Sequence, residues 1–534
     1  MRKLLILILI CFIPVSVHSQ FVMNQRIFDG NNISTYIINT GSFDRDLSIN
    51  NKPGFQWPNG SGKFAIFTTG LTIAAKVNGS LLMASSSYTG EYRPGFISNG
   101  APITDSRFHI FRIVRGDTTF TNTDYAEWGN MVPYGAPFVD VNNNGLFELG
   151  IDMPGVKDAS QTIFLCMTDG FPESHTASEG FGGGTDPLMA QAHFTAWCYD
   201  NMGLEDVQFR KWEIINKSGS TWNGTIFTLF CDGDLGEATD DFLGCDTLLD
   251  LGFVYNSDNM DGTGLGNSYG LNPPAVGICF LSTPKNSGGV EFGLTGFIPQ
   301  EEIQAGPVCQ QFPYNPEEAY RYMKGFKRDY TPWINAVNMM RTKHAFSGDP
   351  ETGLGWTEDD GSIWNCGGDT TGTHFPANPS DKRFIMNTSD STLSVTNGQK
   401  IEIVTAFMMA RGSNNLNSVT KLKQLTNTVR NFWQTIGITP ISSEVPETFR
   451  LHQNYPNPFN PSTKIRFDVP GNKEFVKLII YDISGREVAK LVNQELAPGV
   501  YEYEFNGEGL SSGIYFYTLN AGEFAETKKM VLVK

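Results

Sequence analysis

Short runs of alternating apolar and polar residues, each closed by a turn, recur along the chain and predict β-strands. The clearest cover residues 63–67, 108–114, 162–166, 209–215, 225–230 and 401–407. Asn-Gly and Gly-Gly pairs stand between many of them, and such pairs supply the positive φ that tight hairpins need. Helical spacing is clearest once. Val419, Leu422, Leu425, Val429 and Phe432 predict a helix over 417–434, with Ser418 as its cap and the stripe packed into a core. A shorter helix is predicted over 316–327.

The last ninety or so residues alternate well at 464–469, 476–482, 501–505 and 513–519, with turns at Ser484-Gly485, Pro498-Gly499 and Ser512-Gly513. About seven short strands in that length predict a small Ig-like β-sandwich. The predicted fold is therefore mainly β: a large, sandwich-like body with few helices, then a carboxy-terminal Ig-like sandwich.

The amino terminus follows another rule. Met1-Arg2-Lys3 precedes an apolar run at 4–15, and Val17-His18-Ser19 before Gln20 has the spacing of a signal-peptidase site. About 12 apolar residues are too few to span a bilayer, which takes about 20. A cleaved secretory signal is predicted over 1–19, an acidic body over 20–438, a Pro- and Ser-containing linker over 439–446, and the terminal sandwich over 447–534. No other stretch is apolar enough to cross a membrane, so no transmembrane segment is expected in the mature chain.

Composition narrows the function. With 40% hydrophobic residues, the 534-residue chain can bury a sizeable core. Its net charge of −17 argues against binding nucleic acid through phosphate neutralisation. The acidity belongs to the body, at −18, while residues 447–534 carry only −1. Seven cysteines follow the signal, so at least one is unpaired; one to three disulfides are expected, with the pairing open.

Two acidic segments suggest calcium. Asp140, Asn142, Asn144 and Glu148 fall at positions 1, 3, 5 and 9 of an EF-hand-like loop, with Gly145 at 6. Position 12 is Ile151, and Asp152 is the expected substitute ligand; a plain Asn-Gly turn is the alternative. Asp232, Asp234, Asp240, Asp241 and Asp246 form the second segment, where mutual repulsion needs a cation or solvent to relieve it. Glycosidase chemistry at Asp240 and Asp241 is disfavoured, because adjacent strand residues face opposite ways. No HExxH or P-loop pattern occurs. His109 is expected in the core, and His175 is the most site-like histidine.

The terminal residues also carry a specific resemblance. Asn454, Tyr455, Pro456, Asn457, Pro458, Phe459, Asn460, Pro461, Ser462 and Thr463 open a segment that continues through Gly485-Arg486-Glu487-Val488, Pro498-Gly499-Val500-Tyr501 and Ser512-Gly513-Ile514-Tyr515 to Lys528-Lys529-Met530-Val531. In order, spacing and terminal position it resembles the type A, Por-type sorting domain of type IX secretion cargo. That resemblance implies export through the periplasm and recognition by the outer-membrane translocon and sorting machinery. It also implies cleavage of the domain with attachment to surface lipopolysaccharide, or free release. The body resembles uncharacterised secreted proteins carrying the same tail, through Trp57-Pro58-Asn59-Gly60, Gly135-Ala136-Pro137-Phe138 and Asp232-Gly233-Asp234-Leu235-Gly236. That likeness implies no activity. The expected function is a non-enzymatic, calcium-stabilised binding, adhesion or envelope protein, with a secreted hydrolase of polysaccharide or peptide as the alternative.

Overall fold

The structure is a computed structural model describing residues 22–48, 52–142, 144–177, 180–300, 306–436, 440–442, 448–470, 474–496, 499–507, 510–522 and 524–533. The predicted signal, and residues 439 and 443–446 of the predicted linker, lie outside the described residues. The chain divides into two compact units, Met1–Val419 and Thr420–Lys534.

The first unit is built on two nine-stranded sheets. Across one run Gln25–Phe28, Thr35–Ile38, Ser42–Phe43, Thr68–Val77, Trp222–Gly233, Lys382–Thr388 and Gly296–Gln300. Across the other run Arg93–Pro94, Gln161–Thr168, Ala190–Cys198, Val207–Asn216, Lys400–Ala410, Ala275–Ser282, Leu251–Asn256 and Asp241–Asp246. Ile73, Phe227, Leu229 and Phe384 from the first sheet share one apolar cluster with Phe194, Trp212, Ile403 and Phe407 from the second. Phe43 stacks on Phe194 with ring centroids 4.5 Å apart. The body is thus a β-sandwich, with alternate residues of each strand turned into a shared interior.

Central strands such as Gln161–Thr168 and Ala190–Cys198 are buried along their whole length. Other elements cover their outer faces, so these strands lose the polar alternation of a half-exposed sheet. On one of these outer faces Trp128 packs on Phe111 and Phe164 of the sheet in a separate apolar cluster.

The sandwich interior also contains a charge pair. Arg210, on Val207–Asn216, and Asp44 are both fully buried. The guanidinium donates from Nη1 to Asp44 Oδ2 at 2.7 Å and from Nη2 to Oδ1 at 2.5 Å. Thr35 and Thr69 also donate to this carboxylate, and the guanidinium carbon lies 3.7 Å from the Phe407 ring centroid. The pair joins the two sheets across the core.

Most predicted strands recur with longer limits, but 63–67 shrinks to Phe64–Ile66 and 108–114 to Phe111–Val114. His109 therefore lies outside the strand. It is half-buried, hydrogen-bonded to Asp124 at 3.1 Å and stacked on Phe111, rather than a core residue. The long helix spans Asn415–Ile436. Ser418 does not cap it: the helix starts before that residue, and Asn414 Oδ1 accepts from Asn417 N at 2.7 Å. The short helix is Pro316–Met323, capped by Asn315. Among the described residues one disulfide forms, Cys309–Cys366, while Cys166, Cys198, Cys231, Cys245 and Cys279 are buried thiols outside it.

The second unit contains two four-stranded antiparallel sheets. One orders Pro440–Ser442, Gly499–Asn506, Ser462–Val469 and Arg450–Leu451; the other orders Glu487–Leu496, Glu474–Asp482, Gly513–Ala521 and Phe524–Leu532. Pro440–Ser442 fell in the predicted linker but pairs with the strand containing Tyr501. Ile465, Phe467, Leu478, Ile480, Tyr517 and Met530 form a core separate from that of the body.

Candidate functional site

The strongest concentration of chemistry lies where two central strands of the first sheet end. Asp232 sits near the end of Trp222–Gly233, directly opposite Arg383 on Lys382–Thr388. Asp234 follows the first strand and Asp381 precedes the second. The register therefore places three carboxyl groups at one sheet edge, although Asp381 is distant in sequence. With Arg45, Phe67, Tyr88 and Arg383 they line a cleft of about 440 Å³.

A hydrogen-bonded chain organises the cleft. Tyr88 donates from its hydroxyl to Asp232 Oδ2 at 2.9 Å and accepts from Arg383 Nε at 2.7 Å. Arg383 also reaches Asp232 Oδ1 at 3.3 Å and Asp381 Oδ2 at 3.1 Å. Carboxylate oxygens of Asp232, Asp234 and Asp381 lie within 4.8 Å of one another. Burial, then repulsion from Asp232 and Asp381, pushes the Asp234 carboxyl up to about 8.

Asp232 and Asp234 thus come together, but the other three members of the predicted acidic segment go elsewhere. Asp241 is fully buried and accepts from Leu235 N at 3.0 Å. Asp240 accepts from Asn256 Nδ2 and Gly262 N. Asp246 accepts from Leu248 N in the turn ending its strand. These carboxylates satisfy donors in turns rather than converging on a centre. Asp381 was missed because sheet order, which short-range spacing does not report, brings it near.

The predicted calcium loop is closed by its own side chains. Asp140 accepts from Asn144 N and Gly145 N. The Asn142 and Asn144 amides both donate to Glu148 Oε2, at 2.7 and 2.6 Å. Gly145 has φ of 76°, which the turn requires and glycine tolerates. Asp152 is buried and accepts from Val141 N at 2.8 Å and Glu148 N at 2.7 Å. Removing that carboxylate strands two backbone donors. Asp152→Ala is expected to destabilise the body by about 1–3 kcal/mol in urea unfolding without added metal; a change within measurement error would show that water replaces the carboxylate.

The histidines do not meet a cleft nucleophile. The His175 side chain is almost fully buried, with Nε2 2.7 Å from Asp169 O and Nδ1 3.3 Å from Glu91. Burial lowers its pKa and raises that of Asp169 to about 7. His193 is pushed down to about 4 by burial. Cys309, Asp329 and Cys366 form another close group, but its sulfurs are joined in the disulfide and supply no thiolates.

In the second unit the entry segment is fastened at both ends. Asn454 donates from its backbone to the Tyr517 hydroxyl and from its side chain to Pro456 O and Thr463 Oγ1. Phe459 is buried and exchanges backbone hydrogen bonds with Val531 and Val533, while Asn457 Oδ1 accepts from Val531 N. Pro461 O accepts from Gly507 N. Tyr455, Pro456, Pro458 and Asn460 remain exposed. Gly485 occupies a turn at φ 81°, whereas Gly499 and Gly513 open strands. Lys528 pairs with Glu526 at 2.9 Å, and Lys529 stands opposite Phe516.

No curated protein matches the chain. A solved polysaccharide lyase aligns with 64% of this chain and 34% of its own, at 7% identity and a TM-score of 0.18. This chain therefore spans about a third of that structure, and the likeness is too slight to argue from. A model of the secretion system C-terminal sorting domain matches residues 453–534. Among the described residues, no helix is long and apolar enough to cross a membrane. The segment fastened through Asn454 and Phe459 is a type IX secretion sorting domain, and the protein that carries it is a cargo of that machinery, secreted to the cell surface or extracellular space.

Proposed function

We propose that the exported protein is a non-enzymatic binding protein whose cleft takes a divalent cation, calcium by its donor chemistry, and holds its ligand through that ion. The carrying observation is the approach of three aspartates within 4.8 Å at an open cleft. Calcium binds oxygens at about 2.3–2.6 Å, so oxygens sharing one ion stand up to ~5 Å apart. An all-carboxylate set suits calcium or magnesium better than zinc or copper. The high Asp234 pKa reflects burial and neighbouring negative charge, and a cation relieves both. Arg383 already occupies part of that role, so the ion would displace its guanidinium from Asp232. The alternative hydrolase reading needs carboxyl groups roughly 5–10 Å apart with a sugar between them, whereas here Arg383 bridges Asp232 and Asp381.

The cation must compete with the proton on Asp234. Calcium affinity is therefore expected to rise by up to about tenfold per pH unit until pH reaches about 8, with proton release on binding. Without the ion the sign for stability is opposite. The folded pKa lies above the unfolded value of about 3.9, so stability falls as pH rises from there towards 8. Calorimetric titration of the full chain checks the affinity, and Asp234→Asn and Asp381→Asn should each weaken it at least about tenfold. Unchanged affinity in both variants would move the ion away from this cleft. Polysaccharide or peptide cleavage that vanishes in Asp234→Asn would replace the binding reading with the hydrolase one.

A further inference from the structure

Residues 306–343 reverse the charge character of the body. They hold six Lys or Arg against three Asp or Glu, in a chain of net charge −17. Within them a hairpin pairs Trp333–Ile334 with Arg341–Thr342. Trp333 and Ile334 are buried and anchor its stem. Its tip does the opposite: Val337, Met339 and Met340 are 55, 51 and 67% exposed.

This apolar tip is held rigidly. Asn335 Oδ1 accepts from Val337 N and Asn338 N, and Asn338 Oδ1 accepts from Met340 N. Asn335 and Met339–Met340 also exchange backbone hydrogen bonds. The three apolar side chains are thus presented to water by a preformed loop, which loses little conformational entropy on docking.

Cations surround the stem. Arg341 and Lys343 are exposed and, being two apart, project to one side. Lys343 and Lys324 line a single small cavity with Phe326, Ser389 and Asp390. Lys324 Nζ lies 4.1 Å from the Tyr320 ring centroid and 5.9 Å from that of Tyr330, itself exposed. Arg321 lies 5.3 Å from the same Tyr330 ring.

We propose that this hairpin is a docking site for an anionic phospholipid surface. Val337, Met339 and Met340 enter the headgroup boundary, Arg341, Lys343 and Lys324 meet the phosphates, and Tyr330 lies at the interface. Apolar residues beside cations and an amphipathic ring match the layered polarity of a membrane surface. A soluble polyanion has no use for the apolar tip. The acidity of the remaining body orients the approach, since other faces are repelled.

Flotation of the full chain with phosphatidylglycerol vesicles and with phosphatidylcholine vesicles tests the site. Binding to the anionic vesicles at low salt is expected, with weaker binding to the neutral ones. Replacing Val337, Met339 and Met340 together by Ser should lower it more than about tenfold, and so should Arg341→Glu with Lys343→Glu. All five side chains are exposed or at the stem surface, so an unchanged thermal melt verifies folding. Absence of flotation, equal binding of either folded variant, or equal binding to both vesicles overturns the proposal. So does retention on dextran sulfate that survives the Ser substitutions while vesicle binding is absent, which would mark a polysaccharide site.

Discussion

Asp44→Ala will destabilise the body by about 3–5 kcal/mol, read as a lower urea midpoint or as loss of soluble folded protein. The cost comes mainly from what is left behind. Arg210 is fully buried and receives its charge compensation from Asp44 through two hydrogen bonds. Without the carboxylate, a guanidinium remains in an apolar interior between Phe43 and Phe407. Thr35 and Thr69 also lose their acceptor. Replacing both charges, Asp44→Leu with Arg210→Met, should recover most of the loss, because a well-packed apolar pair avoids both desolvation penalties. A single-variant cost below about 1 kcal/mol would mean that solvent reaches the pair.

Ending the chain at residue 447 will abolish export in the native host. The truncated protein should accumulate in the periplasm, as cell fractionation and immunoblotting would show. The sorting domain matches only residues 453–534, and its core shares no residue with the apolar cluster of the body. Loss of export should therefore leave the body resistant to protease. Phe459→Asp in the full chain is a finer test. Phe459 is buried against Phe505, and its backbone clips the entry segment to the last strand. A buried carboxylate there should unfold the domain and reproduce the export defect. Normal amounts of either variant outside the cell would show that the body carries its own export information.

Local patterns reported some parts of the molecule better than others. Alternation found 225–230 and 401–407, because strand side chains have a period of two wherever one face packs inward. It underestimated their lengths, since a strand covered on both faces loses that alternation. Placing 108–110 in a strand failed where His109 instead turns toward Asp124, in a helix formed later in the sequence. Within the acidic segment, spacing grouped Asp232 and Asp234 with Asp240, Asp241 and Asp246. It could not separate the first two from Asp240 and Asp241, whose backbone partners are set by how the loop folds.

The linear order of residues alone determined the mainly β architecture, the sorting domain and the destination it confers. Turn chemistry, side-chain period and contiguous motifs are local, so they can be read along a chain. Tertiary structure decided the partners of charged groups: Asp44 with Arg210, Asp381 with Asp232, and His175 between Glu91 and Asp169. Those meetings follow from which strands lie side by side and which sheet faces which. Such choices minimise free energy over the whole fold, and no short stretch of sequence records them.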